Sequence, residues 1–181
     1  LGISNFFNKN DLDLLAIENS KYLFVEGYLV TSESALDACF KAIKTAKASG
    51  TKIAISLSDT SIVNIFRDQI NSLINLGCDM LFCNESEACA FSQEEDKIEA
   101  EKFLRDVSSK NLITLGKNGS MIWDGSKLKN IQGFKAKAVD TNGAGDIFAG
   151  SVLFQICEGR SLENAAQFGC YAASKKVEKF G

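Results

Sequence analysis

An alternation along the chain most constrains its fold. Short apolar runs of strand length take turns with longer stretches whose apolar residues recur at helical spacing. The runs at 22–25, 53–57, 80–83 and 112–115 are of the first kind. Residues 34–48 place Ala35, Ala38, Cys39, Ala42, Ile43 and Ala46 on one helical face. Residues 61–76 do the same with Ile62, Ile65, Phe66, Ile70, Leu73 and Ile74. Gly50 and Gly77 follow these two helices as natural stops. Helices are also predicted over 85–91 and 97–107. Asn118-Gly119 and Asp124-Gly125 flank 121–123 as hairpin-type turns, so the βα series gives way to a small antiparallel section. Two helices, over 144–157 and 162–177, close the chain. This order predicts an α/β fold with a mostly parallel central sheet and helices on both faces, in three layers. Such sheets bind ligands beyond the carboxyl ends of their strands.

Composition narrows the chemistry. The 181 residues suffice for one domain with a buried core. A net charge of −3, with no long Lys/Arg block, gives no general attraction to nucleic acid or anionic membrane. No apolar run approaches the ~18 residues that a membrane helix needs. Histidine is absent, which removes Ser-His and Cys-His nucleophile pairs and His-ligated zinc within this chain. Acid–base work would fall to a carboxylate, Lys, Tyr or Cys. The six cysteines form no C-x-x-C pair and read as small buried thiols of a reducing cytoplasm. The opening Leu-Gly-Ile-Ser-Asn-Phe-Phe lacks an initiator Met and the features of a secretion signal. The expectation is a cytoplasmic chain that begins partway through a larger protein. Asn84-Glu-Ser and Asn118-Gly-Ser are then chance matches to the glycosylation sequon.

The most informative stretch is Val139-Asp140-Thr141-Asn142-Gly143-Ala144-Gly145-Asp146, a polar Gly-rich turn running into an apolar helix. Gly143 and Gly145 remove side chains where the backbone must bend and lie open. The first N–H groups of a helix have no partner within it and point outward with the positive end of the dipole. Together they suit a phosphoryl group. Asp146 falls in the first turn, where the dipole favours its charge. In a loose phosphoryl-transfer transition state a weak base is enough, because the hydroxyl proton leaves late. Read locally, the same residues make a capped strand-to-helix turn with no ligand. No Walker A loop and no G-x-G-x-x-G dinucleotide fingerprint occur, which argues against a P-loop enzyme and an NAD-dependent dehydrogenase.

Two further segments carry polar residues at strand ends. Asn84-Glu85-Ser86-Glu87 follows the third apolar run, and Asn84 with Glu87 is a complete capping box. Residues 113–120, Ile-Thr-Leu-Gly-Lys-Asn-Gly-Ser, read locally as a strand and hairpin turn. Lys117 within it could reach a phosphate, though the turn position alone makes it an exposed lysine.

Together these motifs resemble the ribokinase-like (PfkB) carbohydrate kinase family. D-T-N-G-A-G-D before an apolar helix is similar to that family's second signature, and the match is long and specific. The resemblance implies an ATP- and Mg2+-dependent kinase acting on a hydroxyl of a small nucleoside or sugar. It implies that Asp146 is the catalytic base and that the N–H groups of Gly143, Ala144 and Gly145 form the anion hole. Asn84 and Glu87 match the family's N-x-x-E motif, which implies that they order magnesium and the ATP phosphates, Glu87 through metal-bound water. Thr114, Gly116 and Gly119 match its ATP-site turn. Several stretches resemble the adenosine kinase subgroup: 79–91, Asn142 in the turn, Tyr171-Ala-Ala-Ser174, Phe180-Gly181, Glu26-Gly27-Tyr28-Leu29 and Ile55-Ser-Leu-Ser-Asp59. By that resemblance Asn142 faces the nucleoside, Tyr28 lies near its base, and adenosine is converted to AMP. The alternatives are a ribokinase- or fructokinase-like sugar kinase and a non-catalytic nucleotide-binding protein. The resemblance covers 1–181 as the later, ATP-binding and catalytic portion of one ribokinase-like domain. The first signature and the small β-lid, which bind most of the substrate, have no counterpart in it, so the fold is expected to be incomplete.

Overall fold

The computed structural model describes residues 6–180. Residues 1–5 of the opening stretch, and Gly181 of the subgroup resemblance, lie outside the described residues. Thirteen regular elements follow one another: α1 (Leu14–Glu18), β1 (Tyr22–Glu26), α2 (Glu33–Ser49), β2 (Lys52–Ser56), α3 (Thr60–Ile74), β3 (Met80–Asn84), α4 (Glu85–Ser92), α5 (Lys97–Val107), β4 (Asn111–Thr114), β5 (Ser120–Trp123), β6 (Leu128–Ile131), α6 (Ala144–Cys157) and α7 (Leu162–Lys176). The strands form one six-stranded sheet in the order β1-β2-β3-β4-β5-β6. It is mostly parallel, in a three-layer α/β/α arrangement, as expected. β1 and β2 run parallel from Tyr22 opposite Lys52 to Glu26 opposite Ser56. β4–β5 and β5–β6 are antiparallel. The chain divides into two compact units, 1–81 with 86–109, and 82–85 with 110–181.

In the first unit α2 buries the six expected residues, Ala35, Ala38, Cys39, Ala42, Ile43 and Ala46. Ser32 caps its start by accepting from the Ala35 N–H, and Gly50 ends it in the left-handed region at φ 80°. The α3 stripe departs from expectation. Phe66 leaves helical geometry at φ −118°, ψ 27°, and the helix kinks there. Val63, Ile70, Leu73 and Ile74 are buried while Ile65 is 70% exposed. Those four share one face of a helical wheel, and Ile65 lies on its far side, so its apolar character alone did not place it on the stripe. α5 buries a carboxylate, Glu101, which two-pronged bonds from Arg105 satisfy at 2.9 Å.

The second unit holds the antiparallel strands and the last two helices. α6 and α7 approach closely at Gly169, where a Cβ would lie 2.8 Å from Phe148 and 2.9 Å from Val152. Phe148 in turn meets Phe82 edge-on, with ring centroids 6.4 Å apart. β6 was not expected from the sequence: Leu-Lys-Asn-Ile has too little patterning, and the strand is fixed by its ladder to β5. The Asp124 carboxylate ties the intervening turn, accepting from the N–H groups of Ser126 and Lys127 and from the Ser126 hydroxyl. Those bonds hold its pKa down at about 2. Asn111 opens β4 fully buried, and neither side-chain polar atom has a hydrogen-bond partner among the described residues.

All six cysteines are free thiols. Cys39, Cys78, Cys83 and Cys170 are buried, whereas Cys89 and Cys157 are half-buried, less enclosed than the sequence implied. Burial pushes Cys39 and Cys78 up to about 12.

Candidate active site

Five of the candidate residues gather at one cavity in the second unit. Its volume is about 880 Å3, within the range of small-molecule sites. Thr114, Gly116, Gly119, Ala144 and Gly145 all line it. Thr114 ends β4, and its hydroxyl donates to the Cys83 carbonyl at 3.4 Å, so the strand edge opens straight into the cavity. After it, the 3-10 turn Gly116–Asn118 carries Gly116 at φ 57° and leads to Gly119 at φ 91°. The floor beside this turn is backbone against backbone. A Cβ on Gly119 would lie 2.5 Å from the Gly133 nitrogen, and one on Gly133 would lie 2.3 Å from the Lys117 carbonyl oxygen. Only hydrogen fits at both positions, and the polar backbone here stays open to a ligand.

The start of α6 also lines the cavity. Gly143 takes a left-handed conformation at φ 72°, ψ 4°, turning the chain into the helix. Its carbonyl accepts from the Ile147 N–H at 3.0 Å, and the Thr141 carbonyl accepts from Ala144 at 3.1 Å. Asp146 sits in the first turn of α6, as the pattern predicted, and is exposed. Gly143, Asn142 and Asp146 stand beside Ala144 and Gly145 in the chain but are not among the residues that line the cavity.

The electrostatics of the lining favour an anion. Among the described lining residues Lys117 and Lys135 are cationic, and there is no aspartate or glutamate. Apolar walls come from Phe134, Phe148, Ala173 and Val177. Phe134 is braced edge-on by Tyr171, with centroids 5.5 Å apart. A polyanion with a flat apolar portion matches a cavity lined by both lysines and aromatic side chains.

The remaining candidates lie elsewhere in the chain. Asn84, the last residue of β3, is exposed, and Glu87 is buried in α4. Tyr28 belongs to the first unit, on the 3-10 turn Gly27–Thr31 after β1. The donor set bears on magnesium. No cluster of three or more acidic or cysteine ligands exists among the described residues. That fits an ion held mainly by substrate phosphates and water with one or two carboxylates, the usual manner of Mg2+. It does not fit an all-protein metal cage.

Sequence reasoning missed Lys135, Phe134, Gly133 and Lys176. The first three lie in the irregular segment after β6, where no periodicity marks a role. Lys176 acts across 36 positions of sequence on Asp140, at 3.3 Å. No helix among the described residues is long and apolar enough to cross a membrane.

Comparison with known proteins gives a consistent result. A 27% identity over 181 residues relates the chain to adenosine kinase 1 of Arabidopsis thaliana, covering 91% of the chain and 52% of that protein. Ribokinase of Haemophilus influenzae is 30% identical over 159 residues, covering 84% of the chain and 50% of the relative. The crystal structure of adenosine kinase from Sinorhizobium meliloti superposes with a TM-score of 0.93 at 32% identity, covering 97% of the chain and 54% of that structure. The chain thus spans about half the length of these relatives. The model of the pfkB family carbohydrate kinases matches residues 2–181, and with the Gly-rich turn of α6 at the cavity wall, the chain belongs to that family.

Proposed function

We propose that the protein transfers the terminal phosphoryl group of ATP to a hydroxyl of a small nucleoside or sugar, with adenosine the preferred acceptor. One observation carries this reading: Ala144 and Gly145, at the start of α6, share a cavity with Lys117 and Lys135 and with no carboxylate. Backbone N–H groups and lysines there can hold a triphosphate, while Phe134 and Val177 offer apolar surface to its base. Asn84 and Glu87 would hold magnesium through water, and the ion would supply positive charge to the triphosphate.

The roles of the chain's own residues follow from position. The N–H groups of Gly143 and Gly145 stabilise the phosphoryl group in flight, because the helix N-terminus presents fixed positive charge to it, and the Ala144 N–H joins them on leaving the Thr141 carbonyl to which it donates at 3.1 Å. Asp146, in the same first turn of α6, orients the acceptor hydroxyl and takes its proton late in the transfer. Asn84 and Glu87 would order metal-bound water, as the family's N-x-x-E motif implies, and Asn142 and Tyr28 would face the acceptor by resemblance to the adenosine kinase subgroup. Identity to adenosine kinases supports the nucleoside. Identity of 30% to a ribokinase supports a sugar as the second reading. Coupled ADP release from the intact protein, with adenosine, ribose and fructose compared at equal concentration, separates them. Turnover with adenosine is expected. Turnover of ribose or fructose with none of adenosine would move the protein to the sugar kinases, and no ADP release with any acceptor would refute kinase activity.

A further inference from the structure

The Gly-rich turn is gripped from behind by the end of α7. The N–H groups of Val139 and Asp140 both donate to the Val177 carbonyl, at 2.7 and 3.2 Å. The preceding residue, Lys176, brings its ammonium to 3.3 Å from Asp140 Oδ2 and 3.5 Å from the Asp140 carbonyl oxygen. The other carboxylate oxygen of Asp140, Oδ1, accepts from the Asn142 N–H at 3.0 Å. The lysine stem also passes beside the turn itself, since a Cβ on Gly143 would lie 3.8 Å from Lys176 Cε. A continuous path therefore runs from the Lys176 ammonium through the Asp140 carboxylate to the backbone of Asn142 and the left-handed Gly143.

This ion pair is more enclosed than Lys129 with Asp124 and Glu163, and Lys175 with Glu178, in the same unit. Its side chains are 14% and 20% exposed. Ion pairs at the surface contribute little, and enclosed ones cost desolvation that their attraction barely offsets. Stability alone is a poor reason for such a pair. A fixed geometry is a better one, because donors aimed at a developing charge work only when held in place. Lys176 is not among the residues lining the cavity, so it does not act by touching the ligand.

We propose that Lys176 is a positioning residue for phosphoryl transfer: through Asp140 its ammonium sets the direction of the N–H groups of 143–145 and of Asp146. The inference rests on the reading of this turn as the phosphoryl site. Lys176→Met removes the charge and keeps most of the stem. Misplacing reacting groups by about an ångström costs up to ~10²-fold, so the variant should lose about 10–100-fold in kcat with little change in KM for ATP. Lys176→Arg, which keeps the charge on the Asp140 carboxylate, should recover most of the rate, and methylammonium should restore part of it to Lys176→Ala.

Amide exchange in the intact protein gives a second readout that does not depend on turnover. In Lys176→Met the Asn142 amide should exchange at least about 10-fold faster while the amides of β4 and β5 are unchanged. A Lys176→Met protein with native kcat, or with unchanged Asn142 exchange, overturns the proposal. So does a rate loss that merely tracks the unfolded fraction and resists both rescues. Wild-type protein that releases no ADP with any acceptor overturns the kinase reading instead, and the exchange comparison still decides whether Lys176 holds the turn.

Discussion

Gly119→Ala tests the cavity floor against the structure. Gly119 has φ 91° and ψ −126°, a combination open in practice only to glycine. Forcing alanine into it costs about 1–3 kcal/mol in backbone strain. The new methyl would also lie 2.0 Å from the Ile131 carbonyl oxygen and 2.7 Å from the Gln132 carbonyl carbon. Those are backbone atoms and cannot rotate away, so the turn must part from the segment after β6. Parting it endangers the bonds from Leu115 N–H to the Gly119 carbonyl at 2.8 Å and from Gly119 N–H to the Gly116 carbonyl at 3.1 Å. At about 1 kcal/mol each, they bring the expected loss to about 3–5 kcal/mol. Gly116→Ala is the control: it also has positive φ, 57°, but nothing lies within 4 Å of its Cβ, so about 1 kcal/mol should be lost. Urea melts of the two variants at matched slope give the comparison. Equal stability of the two would refute the close backbone packing from which the cavity floor is argued.

Further outcomes follow from other buried groups. Asn111→Leu should stabilise the protein by about 1–2 kcal/mol in urea melts, since it removes two buried polar atoms with no partner among the described residues; a loss of stability would mean that the amide is satisfied in solution. At pH 8 iodoacetamide should label Cys89 and Cys157 in the folded protein, and Cys39 and Cys78 only after unfolding, as peptide mapping can show. The two buried thiols have folded pKa values of about 12, above the ordinary value. A raised thiol pKa stabilises the fold fully below the unfolded value, and that contribution is lost as pH rises through about 9 towards 12. The melting temperature should therefore fall over that alkaline window, and a flat profile there would contradict the assignment.

Much of the fold was legible because its signals are local. α2 announces itself by six small apolar residues at helical spacing and a glycine stop, and α5 and α6 run over the residues predicted. The Gly-rich turn was readable for the same reason: cap, bend and helix lie within eight residues. What escaped depended on distant partners. β6 exists because β5 supplies its ladder. Ile65 is exposed although apolar, because at helical spacing it falls away from the face that Val63, Ile70 and Ile74 share. Gly169 sat unremarked inside a helical pattern, yet it sets how closely α7 meets Phe148 and Val152. Lys176 and Asp140 form an enclosed pair that no spacing rule connects.

The most direct test of the central claim is a paired measurement on Asp146→Asn in the intact protein. The substitution is nearly isosteric and leaves the N–H groups of 143–145 and the lysines of the cavity untouched, so ATP affinity should stay within a few-fold of native. It removes the group proposed to orient and deprotonate the acceptor, which should cost about 10²–10⁴-fold in the single-turnover rate with adenosine. Native ATP affinity with a collapsed transfer rate is the predicted result. Native affinity with a native rate would make Asp146 a helix-terminus residue alone and would contradict the account.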